Sequence, residues 1–170
     1  MVVYLTSIPV SLKSGFSIRI QGCADIEGDR FDINLQSGSQ TDCPTIPFHF
    51  SVRFEEGTIV RNSRRHLGWE DELTDGPLLI GKGQLFDILI KVEPDEYIIE
   101  VDGQYFCEFP HRIPVGTVNH IQVSGDVQVN RITIQSGTSE YFYLQMEGTN
   151  LILPMLYTGE ISSGLEAAAF

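Results

Sequence analysis

Apolar and polar side chains alternate with a period of two along most of this chain. Phe16-Ser17-Ile18-Arg19-Ile20 and Phe31-Asp32-Ile33-Asn34-Leu35 show the pattern, as does Phe48-His49-Phe50-Ser51-Val52-Arg53-Phe54. His120-Ile121-Gln122-Val123 and Ile132-Thr133-Ile134 repeat it. Each run places its apolar members on one face of a half-buried strand. Leu85–Val92 and Tyr97–Val101 read as two further strands joined by a turn at Glu93-Pro94-Asp95-Glu96. Asp102-Gly103 is the dipeptide favoured in two-residue hairpins, and Glu27-Gly28-Asp29 and Ser124-Gly125-Asp126 mark other turns. No stretch keeps a 3.6-residue period over ten residues. Short strands punctuated by turns predict an all-β sandwich or barrel with negligible helix.

Composition narrows the picture. The 170 residues suit one full domain with little left over, and the hydrophobic fraction of 42% is enough for a real core. Sixteen glycines and eight prolines agree with a turn-rich β chain. The net charge of −12 argues against nucleic acid or an anionic membrane as partner, because phosphate contacts need clustered Lys and Arg. No apolar run approaches the roughly 20 residues that span a bilayer, so membrane insertion is not expected. The opening Met1–Leu5 lacks the basic region and long apolar stretch of a signal peptide. Cys23, Cys43 and Cys107 have no metal-ligand spacing, and their odd number fits free thiols in a reducing compartment. Neither a metal nor a cofactor is expected.

The chain beyond Ser136 departs from the strand pattern, with an apolar stretch at Leu151–Tyr157. Tyr4, Ile8 and Leu12 recur as Tyr157, Ile161 and Leu165 at one constant displacement, as in a tandem repeat. The expected organisation is therefore a domain over residues 1–137 and a tail over 138–170 that begins a second copy. A native tail strand and a cloning remnant are the alternatives. If the tail opens a second domain, its Leu151, Ile152, Leu153, Met155 and Leu156 are expected to dock on an open sheet edge or to promote self-association.

Candidate chemistry concentrates between His49 and Thr74. On one strand, His49, Ser51 and Arg53 share a face, while Phe48, Phe50, Val52 and Phe54 turn to the core. Asn62 closes the next strand, and the chain's one Trp, Trp69, follows seven residues later. Hydrogen-bonding groups beside an exposed indole suit a neutral polyol, whose C–H face stacks on the ring. A glycoside hydrolase is the rival class, since it needs two carboxyls about 5–9.5 Å apart across a cleft. Glu70 and Glu72 could share a face, but no acidic cluster is opposed to them. Nor is there a nucleophile elbow, a P-loop or a metalloprotease motif.

The same segment resembles the carbohydrate-recognition domain of galectins, whose signature is His-x-Asn-Pro-Arg, Val-x-Asn and Trp-Gly-x-Glu-x-Arg. The counterparts are His49-Phe50-Ser51-Val52-Arg53, Val60-Arg61-Asn62 and Trp69-Glu70-Asp71-Glu72-Leu73-Thr74. Gly83–Ile88, Tyr97–Gly103, Phe109–Ile113 and Ile121–Val127 continue the likeness, which spans residues 4–136. The resemblance implies a two-sheet antiparallel jelly-roll sandwich of the galectin/concanavalin kind that binds β-galactosides without catalysis. It implies that His49, Arg53 and Asn62 hydrogen-bond galactose and that Trp69 stacks on it. Glu72 would bond the sugar and orient Arg53, with Ser51 completing the set. The implied partners are lactose- and N-acetyllactosamine-type glycans on glycoproteins or glycolipids, met in the cytoplasm or outside the cell by a signal-peptide-independent route. Ser51 and Val52 replace the family's Asn and Pro, Glu70 replaces its Gly, and Thr74 replaces the Arg that reaches the second sugar. Arg61, Arg64 or Arg65 are the cations near enough in sequence to compensate. The alternative is a galectin-like interaction module whose sugar site has decayed.

Overall fold

The computed structural model describes residues 1–138 and 141–144. Tyr157, Ile161, Leu165 and the apolar 151–157 stretch, with the repeat and docking expected of them, lie outside the described residues.

Among the described residues, twelve strands form two antiparallel six-stranded sheets. In chain order they are β1 (Val2–Ser7), β2 (Ser17–Ala24), β3 (Arg30–Ser37), β4 (Thr45–Arg53), β5 (Thr58–Arg65) and β6 (Gly68–Trp69). They continue as β7 (Leu85–Val92), β8 (Glu96–Val101), β9 (Gln104–Pro110), β10 (His120–Gly125), β11 (Val127–Gln135) and β12 (Tyr141–Leu144). One sheet runs β1-β10-β3-β4-β5-β6, the other β12-β11-β2-β7-β8-β9. Among the described residues, helix is limited to a 3₁₀ turn at Val115–Thr117. Of the sandwich or barrel expected from the alternation, the sandwich is the observed architecture.

The alternating apolar positions meet between the sheets. Ile18, Ile20, Ile88, Ile90, Ile99, Ile132 and Ile134 from one sheet face Phe31, Ile33, Leu35, Phe48, Phe50, Val52, Ile121 and Val123 from the other, all fully buried. Phe48 anchors an aromatic cluster, with its ring centroid 4.9 Å from Tyr97 and 5.3 Å from Phe109. Burying a side chain of this size contributes about 1.5–3 kcal/mol. Phe54 departs from its expected core position. It follows the last residue of β4 and is only partly buried, tilted against Phe31 and capped by Lys82.

Turn chemistry sets the registers. Asp102 (φ 51°) and Gly103 (φ 79°) give the β8–β9 hairpin two consecutive left-handed residues, which match the twist of the paired strands. Gly125 (φ 95°) lets the β10–β11 connection run against β3, where an added Cβ would sit 2.4 Å from the Arg30 carbonyl oxygen. β1 and β12 are among the strands that lie outside the sequence pattern. β1 pairs with β10, and β12 pairs with β11 beyond residue 137, extending the second sheet by one strand.

Candidate functional site

The polar face of the first sheet is built by register. His49 lies opposite Asn34 on β3 and Asn62 on β5, Ser51 opposite Asp32, and Arg53 opposite Arg30. Arg64, two residues beyond Asn62 on the same face of β5, pairs with Trp69 on β6. The face expected from one strand therefore extends across four. β5 also runs on to Arg65, so Asn62 sits within the strand and does not close it.

This face is less solvated than a lone strand suggests. His49 is only 3% exposed and Ser51 is buried, because neighbouring side chains lie over them. The Trp69 ring stands 4.5 Å from the His49 imidazole, tilted by 53°. Arg53 donates from Nε to the Ser51 hydroxyl at 3.3 Å. Burial pushes the His49 imidazole down to about 4, well below its ordinary value, because the charged form loses its hydration.

Asn34 fixes the tautomer. Its Nδ2 donates to Gln122 Oε1 at 2.9 Å, which leaves Oδ1 to accept from His49 Nδ1 at 2.6 Å. His49 Nε2 is then left as an acceptor, suited to a ligand hydroxyl.

Arg53 is bracketed by two carboxylates. Nη2 donates to Glu72 Oε1 at 2.7 Å and Nη1 to Glu56 Oε2 at 3.2 Å. The Glu72 side chain is 45% exposed beside the guanidinium, with one oxygen engaged by Arg53. Trp69, 49% exposed, presents an aromatic surface on the same sheet. Asn62 is more committed. Its Nδ2 donates to the Glu70 carbonyl at 2.9 Å, and its oxygen accepts from the Ser63 amide at 2.8 Å and from Arg112 Nη1 at 3.2 Å. One amide hydrogen remains for a ligand.

The departures from the signature fall in different places. Val52 points into the core, fully buried, so that substitution leaves the polar face unaltered. Ser51 serves Arg53. Glu70 accepts from Arg65 Nε at 2.6 Å and from the Ser63 hydroxyl, and the Ser63 bond, then Arg65, holds its carboxyl below the ordinary range. Of the three cations considered as replacements at Thr74, Arg65 is occupied by Glu70, and Arg61 is buried on the core side with Asp75. Arg64 stays on the polar face, its guanidinium 5.6 Å from the Trp69 ring.

Three contributors escape sequence reasoning. Asn34 and Gln122 belong to outward-facing sets that were visible in their strands, but their link to His49 needs the register. Arg112, which donates to the Asp71 carbonyl at 2.8 Å as well as to Asn62, arrives from fifty residues away with no local signal. A hydrolase arrangement is not what the carboxylates form, since Glu70 and Glu72 each pair with a different arginine. Among the described residues no cluster of three or more His, Cys, Asp or Glu could hold a metal ion, and no helix is long and apolar enough to cross a membrane. Cys23, Cys43 and Cys107 are free thiols.

A sequence model of galactoside-binding lectins matches residues 3–134. Pig galectin-4 is 36% identical over 135 residues, covering 79% of this chain and 42% of the relative. Mouse galectin-6 is 34% identical over 164 residues, 95% of this chain and 54% of the relative. A 32 kDa β-galactoside-binding lectin of Caenorhabditis elegans is 34% identical over 133 residues, 77% of this chain and 47% of the relative. The chain spans about half the length of these relatives. Sheep galectin-11, solved with glycerol, superposes with a TM-score of 0.69 at 25% identity, over 77% of this chain and 96% of its own.

Proposed function

We propose, from the premise that this chain belongs to the galactoside-binding lectin (galectin) family, that it binds β-galactosides non-catalytically on the polar face of its first sheet. The observation that carries the reading is the half-exposed Trp69 ring beside His49, with the Arg53–Glu72 pair on the same face. In this reading the sugar's C–H face stacks on Trp69, and its hydroxyls donate to His49 Nε2 and Glu72 and accept from Arg53 and the free Asn62 hydrogen. Ser51 acts indirectly, by holding Arg53. The partners are lactose- and N-acetyllactosamine-type glycans. Because Thr74 supplies no cation to the second sugar, affinity falls below that of a full motif by about 1.5–3 kcal/mol, roughly ten- to a hundredfold.

Titration of Trp69 fluorescence with lactose and N-acetyllactosamine tests this. A saturable shift at millimolar sugar, absent with sucrose, is the expected result. No response to either galactoside would instead favour the interaction module with an altered site. A tail leading towards a second copy remains part of the proposal, supported by relatives of about twice this length, with β12 carrying the first domain's sheet to Leu144, past the boundary expected at 137. Free thiols support residence in a reducing compartment.

A further inference from the structure

Arg61 lies on the side of β5 that faces away from the sugar groove, opposite Phe50, and is 1% exposed. A guanidinium so deeply buried costs free energy unless its donors are satisfied and its charge is compensated. Its partners come largely from one segment. Nη1 donates to the Asp75 carbonyl at 2.8 Å and the Ile59 carbonyl at 2.9 Å, and Nη2 to Asp75 Oδ1 at 2.6 Å. The Phe106 ring lies 5.2 Å beneath it. Arg61 also exchanges both backbone hydrogen bonds with Leu73, each at 2.9 Å.

Glu72 is the residue before Leu73. On its other side, the Asp71 carbonyl accepts from Arg112 at 2.8 Å. Glu72 belongs to no strand, so beyond its own bond to Arg53 its position depends on what holds its neighbours. Downstream, Thr58 Oγ1 donates to the Thr74 carbonyl at 3.2 Å, and Gly76 passes so near Phe106 that a Cβ would sit 2.9 Å from the ring. The Asp75 side chain is 83% exposed, and its carboxylate pairs with Arg61.

We infer that Arg61 is a positioning residue for the sugar site: from behind the sheet its buried guanidinium clamps Asp75, and so fixes the 71–75 segment at the place where Glu72 meets Arg53. The inference rests on the galactoside reading for its affinity measurement, but not for its structural one. Asp75 is the informative handle, because its carboxylate and carbonyl hold Arg61 and it is none of the residues assigned to the sugar. Released from it, the guanidinium has reason to swing towards water, and the segment moves with it.

The test compares the parent protein with Asp75→Ala, Asp75→Asn and Arg61→Met. It measures lactose affinity by calorimetry, amide exchange at Leu73, and the Arg53 guanidinium N–H signals by NMR. Asp75→Ala should weaken lactose by about fivefold, as expected when charge-assisted hydrogen bonds are loosened but not removed. It should also speed exchange at Leu73 and broaden the Arg53 signals while β4 amides keep parental exchange, and the melting temperature should fall because the buried guanidinium loses its counter-charge. Asp75→Asn keeps the accepting oxygen and should recover most of the affinity. Arg61→Met should exceed Asp75→Ala in every local readout, and if it fails to fold the Asp75 pair alone decides. Unchanged affinity and unchanged Arg53 signals in Asp75→Ala overturn the inference. If the parent binds no lactose, the galactoside reading fails separately. Leu73 exchange then judges the clamp, and unchanged exchange in Asp75→Ala overturns it.

Discussion

Acidification is the perturbation that most directly interrogates the polar face, through His49. In the folded chain its imidazole titrates at about 4, against 6.5 for the unperturbed side chain, because burial disfavours the charged form. The unfolded chain therefore takes up this proton first. Stability from the neutral buried ring is complete above pH 6.5, declines as pH falls, and levels off below pH 4. Between pH 7 and pH 4.5, a difference of this size is worth about 2.5 kcal/mol. Glu70, Asp87 and Asp126 also lose stabilisation in acid, but their folded-state values lie below the ordinary carboxylate range, so their losses fall lower still. Urea unfolding of the parent and of His49→Gln, at half-unit steps from pH 7 to 4.5, isolates the contribution as the difference between the two slopes. Lactose affinity should meanwhile stay flat to about pH 5, because the accepting Nε2 remains unprotonated. Parallel slopes, or an imidazole that titrates near 6.5 by NMR, would show that water reaches His49 and that the Trp69–Asn34 enclosure does not hold.

Two further outcomes follow from the same geometry. Trp69→Ala should abolish lactose binding while lowering stability by only about 1–2 kcal/mol, since half the ring is already in water; a loss of about 3–5 kcal/mol would mark a core residue instead. Trp69→Ala should also raise the His49 titration towards 6.5. Thr74→Arg should tighten lactose by about tenfold through one restored charge-assisted hydrogen bond, and calorimetry showing no gain would mean that position 74 does not reach the second sugar.

What the sequence disclosed and what it concealed both have physical causes. Strands that bury one face, such as β2, β3, β7 and β10, announce themselves by alternation, and with them came the sandwich and the common face of His49, Ser51 and Arg53. Burial of that face was not legible. It depends on Trp69, Asn34 and Arg53 lying over it, and none of these contacts is encoded in a single strand's period. In β5, Ile59-Val60-Arg61-Asn62-Ser63 shows no alternation, because Arg61 occupies a core-side position with a charged group. A reader of the pattern places Arg61 in solvent. Val52 shows the converse, since a departure from the signature that looks functional falls on the buried side and reports only on packing. Arg112 acts over fifty residues, where register and turn geometry decide which side chains meet.

β6 is two residues long, yet it forms an edge of the first sheet and carries Trp69. Exposed edges offer rows of unpaired amides and carbonyls that recruit neighbouring chains, and very short edge strands blunt that tendency. Here the shortest strand stands at the mouth of the polar groove, and the longer edges, β1, β9 and β12, stand elsewhere. A molecule that paired edge to edge through β6 would cover its own indole; two residues leave too little ladder for that. Crowding on a surface dense with copies of this domain would thus be absorbed at the other rims, with the groove side kept open to solvent.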